Sequence, residues 1–231
     1  MAKILIGVAT VSPDRRFLET LPNFFRDAGR HHQIDSMWIW NKPLVDAQNE
    51  MAERVLEMGY DYLLTIEDDH HGFSADMLEA CLKADTHVCG ISYRSRHLPF
   101  MMLPMGKLRG YDPHGIGLYD TIKETSGYHK CDLICFGFTL IRSDVFRILD
   151  RPFFRLNLDS HIGFGARATD IDFSRRLLSH GIQPIGCFDH ILAHRDIEES
   201  VYQELKVSGL IEKQSIFNSI MRIHKKNKEK V

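Results

Sequence analysis

Three acids and two histidines, Glu67-Asp68-Asp69-His70-His71, stand directly behind the run Tyr60-Asp-Tyr-Leu-Leu-Thr-Ile66. Carboxylate oxygens suit Mg²⁺ and Mn²⁺, and an imidazole among them shifts the preference toward Mn²⁺. In an extended segment residues two apart share a face, so Asp68 pairs with His70 and Glu67 pairs with Asp69. Spacing alone leaves both pairings open. A further ligand has to come from elsewhere in the chain, and His190 and His194, each at the end of an expected strand, are candidates. The competing reading is a solvated turn leading into a helix capped by Ser74. The apolar run in front favours a site: it fits a strand buried on both faces, as in a parallel sheet, and ligands bind outside the carboxyl ends of such strands.

The elements that must hold this cluster alternate between strand and helix. Residues 3–11 read as a central first strand, and Ser12-Pro13-Asp14 offers an N-cap, a first-turn proline and a first-turn acid. Phe17, Leu18, Leu21, Phe24, Phe25 and Ala28 then form one apolar helical face that stops at Gly29. Residues 34–40 are a second strand, ending at Asn41. Pro43 opens a second helix, striped by Leu44, Ala47, Met51, Val55 and Met58 and closed by Gly59. A helix over 75–84 and a strand over 86–92 follow the acidic cluster. Such alternation predicts βαβ units and a mainly parallel sheet.

The pattern weakens over residues 93–130, which are either a functional loop lining a site or an irregular hairpin closing the sheet. It resumes as a strand over 131–142, where Gly137 signals a bulge or a close backbone approach, and Ser143-Asp144 caps a short helix reaching Leu149. Thr169-Asp170-Ile171-Asp172 resembles a capping box with an acid in its third position, and Phe173, Leu177 and Leu178 stripe the helix that Gly181 ends. A strand over 183–188 leads into Asp189-His-Ile-Leu-Ala-His194. The last expected helix, 208–226, is amphipathic and runs into a lysine-rich tail.

A chain of 231 residues with 44% apolar content can bury one large core, so one domain with a C-terminal extension is expected. A formal charge of −2 excludes a global field that draws the chain to nucleic acid or membrane. The five cysteines, Cys81, Cys89, Cys131, Cys135 and Cys187, lack CxxC spacing and read as free buried thiols of a reducing compartment. No run has the length of a membrane helix and no signal-peptide pattern opens the chain, which makes the cytoplasm the expected location.

Taken in order, the first strand, Asp46-Ala-Gln-Asn49, Ile66-Glu-Asp-Asp-His70, Cys135-Phe-Gly-Phe-Thr-Leu-Ile141, Ala168-Thr-Asp-Ile-Asp-Phe173 and Ala193-His194 resemble a nucleotide-sugar glycosyltransferase of the GT-A fold, close to the family 2-like group. The resemblance implies an α/β, Rossmann-like domain over residues 1–196 with a mainly parallel sheet flanked by helices, and a helical extension over 197–231. It implies transfer of a sugar from a nucleoside-diphosphate sugar, with UDP favoured, to an acceptor hydroxyl on a glycan, protein, lipid or nucleic acid. By the same resemblance Ala9, Thr10 and Asn41 contact the base, and Asn49, Asp68 and Asp69 lie near the nucleotide. Gln48 stands where an arginine is expected beside Asn49. Asp68, His70 and His194 bind Mn²⁺ or Mg²⁺, with Glu67-x-Asp69 as the alternative metal motif; retention and inversion of the sugar's configuration both stay open, and for inversion Asp170 is the general base.

Two other readings stay open. One is a nucleotidyltransferase or other phosphoester-processing enzyme, disfavoured because Ala9-Thr-Val-Ser-Pro13 is not a glycine-rich basic loop. The other is a non-catalytic carbohydrate- or nucleic-acid-binding module, toward which Arg94, Arg96, Lys225, Lys226 and Lys228 point.

Overall fold

A computed structural model describes residues 1–94, 102–103, 106–111, 117–122, 126–156 and 169–194. The first half alternates as expected: β1 (Lys3–Thr10), α1 (Arg15–Ala28), β2 (Gln33–Trp40), α2 (Leu44–Met58), β3 (Tyr62–Glu67), β4 (His70–His71), α3 (Ala75–Lys83) and β5 (Val88–Arg94). Then come β6 (Met102–Leu103), the antiparallel pair β7 (Gly106–Tyr111) and β8 (Gly117–Thr121), and β9 (Tyr128–Lys130). The remaining elements are β10 (Phe138–Arg142), α4 (Val145–Ile148), α5 (Thr169–Ser179) and β11 (Ile185–His194). The expected C-terminal helix and the domain boundary at 196/197 lie outside the described residues.

The main sheet runs β2-β1-β3-β10-β5-β11-β4. Strands β1, β2 and β3 pair in parallel, as do β5 and β11, and β10 lies antiparallel between β3 and β5. All five parallel strands therefore deliver their carboxyl ends to one edge. Both faces are covered. Ile4, Ile6 and Val8 pack with Phe17, Leu21, Phe24, Phe73, Leu78 and Phe138 on the side of α1 and α3. Leu5 and Leu63 pack with Met51, Val55, Phe146, Phe154, Phe173 and Leu177 on the side of α2, α4 and α5. Burial on both faces is why the strand sequences read as apolar runs rather than alternations.

Four boundaries differ from expectation for physical reasons. Helix α1 is capped by Asp14, whose carboxylate accepts the Arg16 N–H at 2.9 Å, so that Ser12 and Pro13 precede the helix. The segment 131–142 is strand only from Phe138. His70 and His71 do not belong to a solvated turn before the helix: both are buried and form β4, with His71 paired to Ala193. Strand β11 runs six residues past 188, to His194. Its register against β5 shifts between Cys187 and Ile191, where the Ser92 hydroxyl donates to the His190 carbonyl at 2.9 Å. The shift leaves residues 188–190 of β11 without a partner on β5 and re-aims the strand, as extra residues in a ladder do. The first half of β11 pairs with β9, and its last two residues reach β4.

Candidate active site

The acidic cluster forms where β3 ends. Leu63, Leu64, Thr65 and Ile66 are buried, and Glu67 is the last residue of the strand, in register with Ala9 of β1. Two residues of turn follow before β4 returns the chain under β11, with His70 opposite His194 and His71 opposite Ala193. Glu67, Asp69 and His70 are the one group among the described residues whose carboxylate and imidazole donors lie close enough to share a cation, within 4.8 Å of one another. His70 Nδ1 is 2.9 Å from Asp69 Oδ1 and 3.7 Å from Glu67 Oε2. The imidazole is 1% exposed, whereas Asp69 and Glu67 keep 17% and 36% of their side-chain surface open. One wall is therefore rigid and the other side faces outward.

Tyr93 of β5 supplies that wall. Its ring meets His70 edge-on, with centroids 4.3 Å apart and planes at 71°. Gly137 makes room for both: a Cβ there would lie 2.5 Å from Tyr93 Cε1 and 3.0 Å from His70 Nε2. The glycine thus marks a close approach, at the turn before β10 rather than inside a strand. Its carbonyl accepts the Glu67 N–H at 3.3 Å.

Like charges dominate this edge. Removal from water pushes the Glu67 carboxyl up to about 7; the His70 imidazole pulls it down, while Asp69, Asp170 and Asp68 push it up. Although a third of that side chain is open, the three acids around it independently support an upward shift. Asp170, in the first turn of α5, is also raised by burial. The Cys135 thiol and the Ile171 N–H, which donates to Asp170 Oδ1 at 2.9 Å, oppose that shift by hydrogen bonding the ionised form. Burial first, with nearby Asp170 and Glu67, holds the Cys135 thiol well above its ordinary range. Tyr93 is raised by the same burial and by Cys135, Glu67 and Asp170.

The other expected site residues have distinct surroundings. The Asp68 carboxylate accepts a hydrogen bond from the Thr10 hydroxyl, and the Asp68 carbonyl accepts the Asp14 N–H at 3.0 Å, so Asp68 ties the end of β1 to the start of α1. Asn41 follows β2 with a positive φ of 53° and donates its N–H to the Thr10 carbonyl at 3.1 Å. Ala9, Thr10, Asn41 and Asp68 thus share the carboxyl edge with Glu67. Asn49 looks elsewhere: its amide donates to the Phe154 carbonyl at 2.8 Å and accepts the Phe154 N–H at 3.0 Å. Tyr93 and Cys135 were not identified by sequence reasoning. The available signals were a tyrosine near the end of an apolar strand and a cysteine two residues before the flagged Gly137.

No protein-family model matches the sequence, and no curated protein matches it. Among solved structures, the chain is similar to A197 from STIV at 18% identity and TM-score 0.51, covering 82% of this chain and 83% of that one. It is also similar to GalNAc-T7 with UDP, GalNAc and Mn²⁺, at 8% identity and TM-score 0.56 over 84% of this chain and 43% of that one. A more remote likeness, TM-score 0.44 at 11% identity, is to CMP:2-keto-3-deoxy-manno-octonic acid synthetase complexed with CTP, over 90% of this chain and all of that one. The architecture is that of a GT-A, Rossmann-like α/β domain. Among the described residues no helix is long and apolar enough to cross a membrane.

Proposed function

We propose that the protein is a metal-dependent glycosyltransferase moving a sugar from a nucleoside-diphosphate sugar, with UDP favoured, to an acceptor hydroxyl. The observation that carries this reading is the convergence of Glu67, Asp69 and His70 at the carboxyl end of a parallel strand. It is supported by the fold shared with GalNAc-T7, whose structure contains UDP, GalNAc and Mn²⁺.

The donor set fits a hard or borderline divalent cation: two carboxylates with one imidazole suit Mn²⁺ better than Mg²⁺. Glu67, Asp69 and His70 would hold it, with His194 as the proposed distal ligand because its backbone is in register with His70. When bound, such an ion offsets negative charge on a departing diphosphate and orients it. Ala9, Thr10 and Asn41 shape the base end of the donor site, and Asp68 fixes Thr10 within it. Asn49 enters only through the Phe154 segment that it holds.

Asp170 is assigned the proton of the acceptor hydroxyl. As that proton passes to its carboxylate, the acceptor oxygen bonds to the anomeric carbon, and the bond from that carbon to the diphosphate oxygen breaks, its electron pair leaving with phosphate. Asp170 is half-buried, and its carboxyl is raised above its ordinary range, so it is suited to take up that proton.

The test is a panel of UDP-, GDP-, CMP- and dTDP-sugars, each scored for Mn²⁺-dependent hydrolysis and for thermal stabilisation. One nucleotide class should respond, and the response should require the cation. Silence across the panel with Mn²⁺ present would remove the transferase reading in favour of a binding module.

A further inference from the structure

Two carboxylates meet one imidazole in this cluster, and an imidazole offers a cation either of two nitrogens. At His70 the two have different neighbours. Asp69 Oδ1 lies 2.9 Å and Glu67 Oε2 3.7 Å from Nδ1, so both carboxylates approach the ring at that atom. Beside Nε2 stands Gly137: a Cβ there would lie 3.0 Å from Nε2, and 2.5 and 2.9 Å from Cε1 and Cδ1 of Tyr93. The space at Nε2 is thus bounded by the Gly137 backbone and by the Tyr93 ring, whose centroid is 4.3 Å from that of His70 with the planes at 71°. The imidazole is 1% exposed and Tyr93 is buried, so neither ring has solvent to turn into.

We propose that His70 takes the cation through Nδ1, with its own proton on Nε2, and that Tyr93 is the positioning residue that holds the ring in this orientation. The inference rests on the cation of the transferase reading and not on the sugar transfer. In the reverse arrangement a carboxylate accepts the Nδ1–H and the metal sits on Nε2, which is how many metal-binding histidines are oriented. At His70 that arrangement would use Asp69 to orient the ring and leave Nε2 facing a glycine backbone and an aromatic edge, neither of which supplies a carboxylate. Only the Nδ1 arrangement lets Glu67, Asp69 and His70 act on one ion.

The test exploits two amides. An asparagine side chain places its amide near the position of Nδ1, whereas glutamine reaches that of Nε2. In calorimetry on the metal-free protein, His70→Asn should bind Mn²⁺ about tenfold or more tightly than His70→Gln. Equal affinities, or tighter binding by His70→Gln, overturn the Nδ1 assignment. Tyr93→Phe, which keeps the ring contact, should hold the affinity within about twofold, and Tyr93→Ala should lower it about tenfold. Unchanged affinity in Tyr93→Ala removes the positioning role.

A readout on the unmodified sequence depends on none of these variants. In long-range proton–nitrogen correlation spectra of the protein loaded with Zn²⁺, a diamagnetic stand-in for the same donors, the His70 ring proton should be found on Nε2. A proton on Nδ1 with the metal bound overturns the assignment alone. Absence of Mn²⁺ binding by the unmodified protein overturns the cation reading and this assignment with it.

Discussion

Two regions of this molecule enclose polar side chains, and they use them in opposite ways. At the back of the sheet the segment from Asp150 to Phe154 is held by its own backbone groups. Asn49 takes both the N–H and the carbonyl of Phe154, and Arg176 donates to the carbonyls of Asp150, Pro152 and Phe153. Arg155 adds bonds to Pro152 at 3.0 Å and Arg151 at 3.1 Å. Each of these side chains meets neutral backbone groups of this segment. At the carboxyl edge, Asp69, Asp170 and Asp68 all oppose the ionisation of Glu67. The first arrangement lowers the free energy of the fold. The second raises it until a cation or a substrate arrives, which is the pattern of a functional site.

The contrast can be broken in graded ways. Asp170→Asn should produce the largest change, a fall in kcat of about a hundred- to ten-thousandfold with donor binding retained, measured by steady-state turnover of the responding nucleotide sugar. Asn49→Ala should do the reverse. Leaving both Phe154 backbone groups without their partner should remove about 3 kcal/mol of stability in urea unfolding, with Mn²⁺ affinity unchanged in calorimetry. Equal loss of cation binding would show that the back region is part of the site.

His70→Ala should weaken Mn²⁺ binding by about ten- to a hundredfold in the same calorimetry. The parallel variants Glu67→Gln and Asp68→Asn discriminate between the two metal motifs. With Glu67, Asp69 and His70 as ligands, the first variant loses affinity and the second largely keeps it.

A smaller effect follows from pH. Glu67 has its carboxyl raised from 4.5 to about 7, so as pH rises through that window the unfolded chain loses its proton first, and the metal-free protein loses stability. Cation binding runs the other way, because a proton must leave before the carboxylate can ligate: Mn²⁺ affinity should climb about tenfold from pH 6 to pH 8. Glu67→Gln should flatten both dependences, and a metal-free melting temperature that rises over that interval would contradict the assignment.

Much of the architecture was legible in advance because the relevant forces are local. The apolar runs of β1 and β3, the stripe of α1 from Phe17 to Ala28 and the glycine closing α2, which takes a left-handed φ of 64°, follow from period and steric freedom alone. The extension of β11 to His194 was not legible, because it depends on a register shift against β5 and on the two residues of β4 waiting for it. The role of Asn49 was hidden for a similar reason. Its partner Phe154 is 105 residues away.

The residues 67–71 show where this division falls. Composition and the strand before them were enough to mark a place where acids and imidazole meet the carboxyl edge of a parallel sheet, because burial on both faces leaves an apolar record in the chain. Which side chains turn toward one another was decided by the tertiary structure. Thr10 takes the Asp68 carboxylate, and Asp69 and Glu67 converge on His70 where Gly137 lets Tyr93 press in. Spacing in a strand fixes a face only while the strand continues. Here β3 ends at Glu67, and the turn that follows is set by contacts with β1, β5 and β11, which no local pattern encodes.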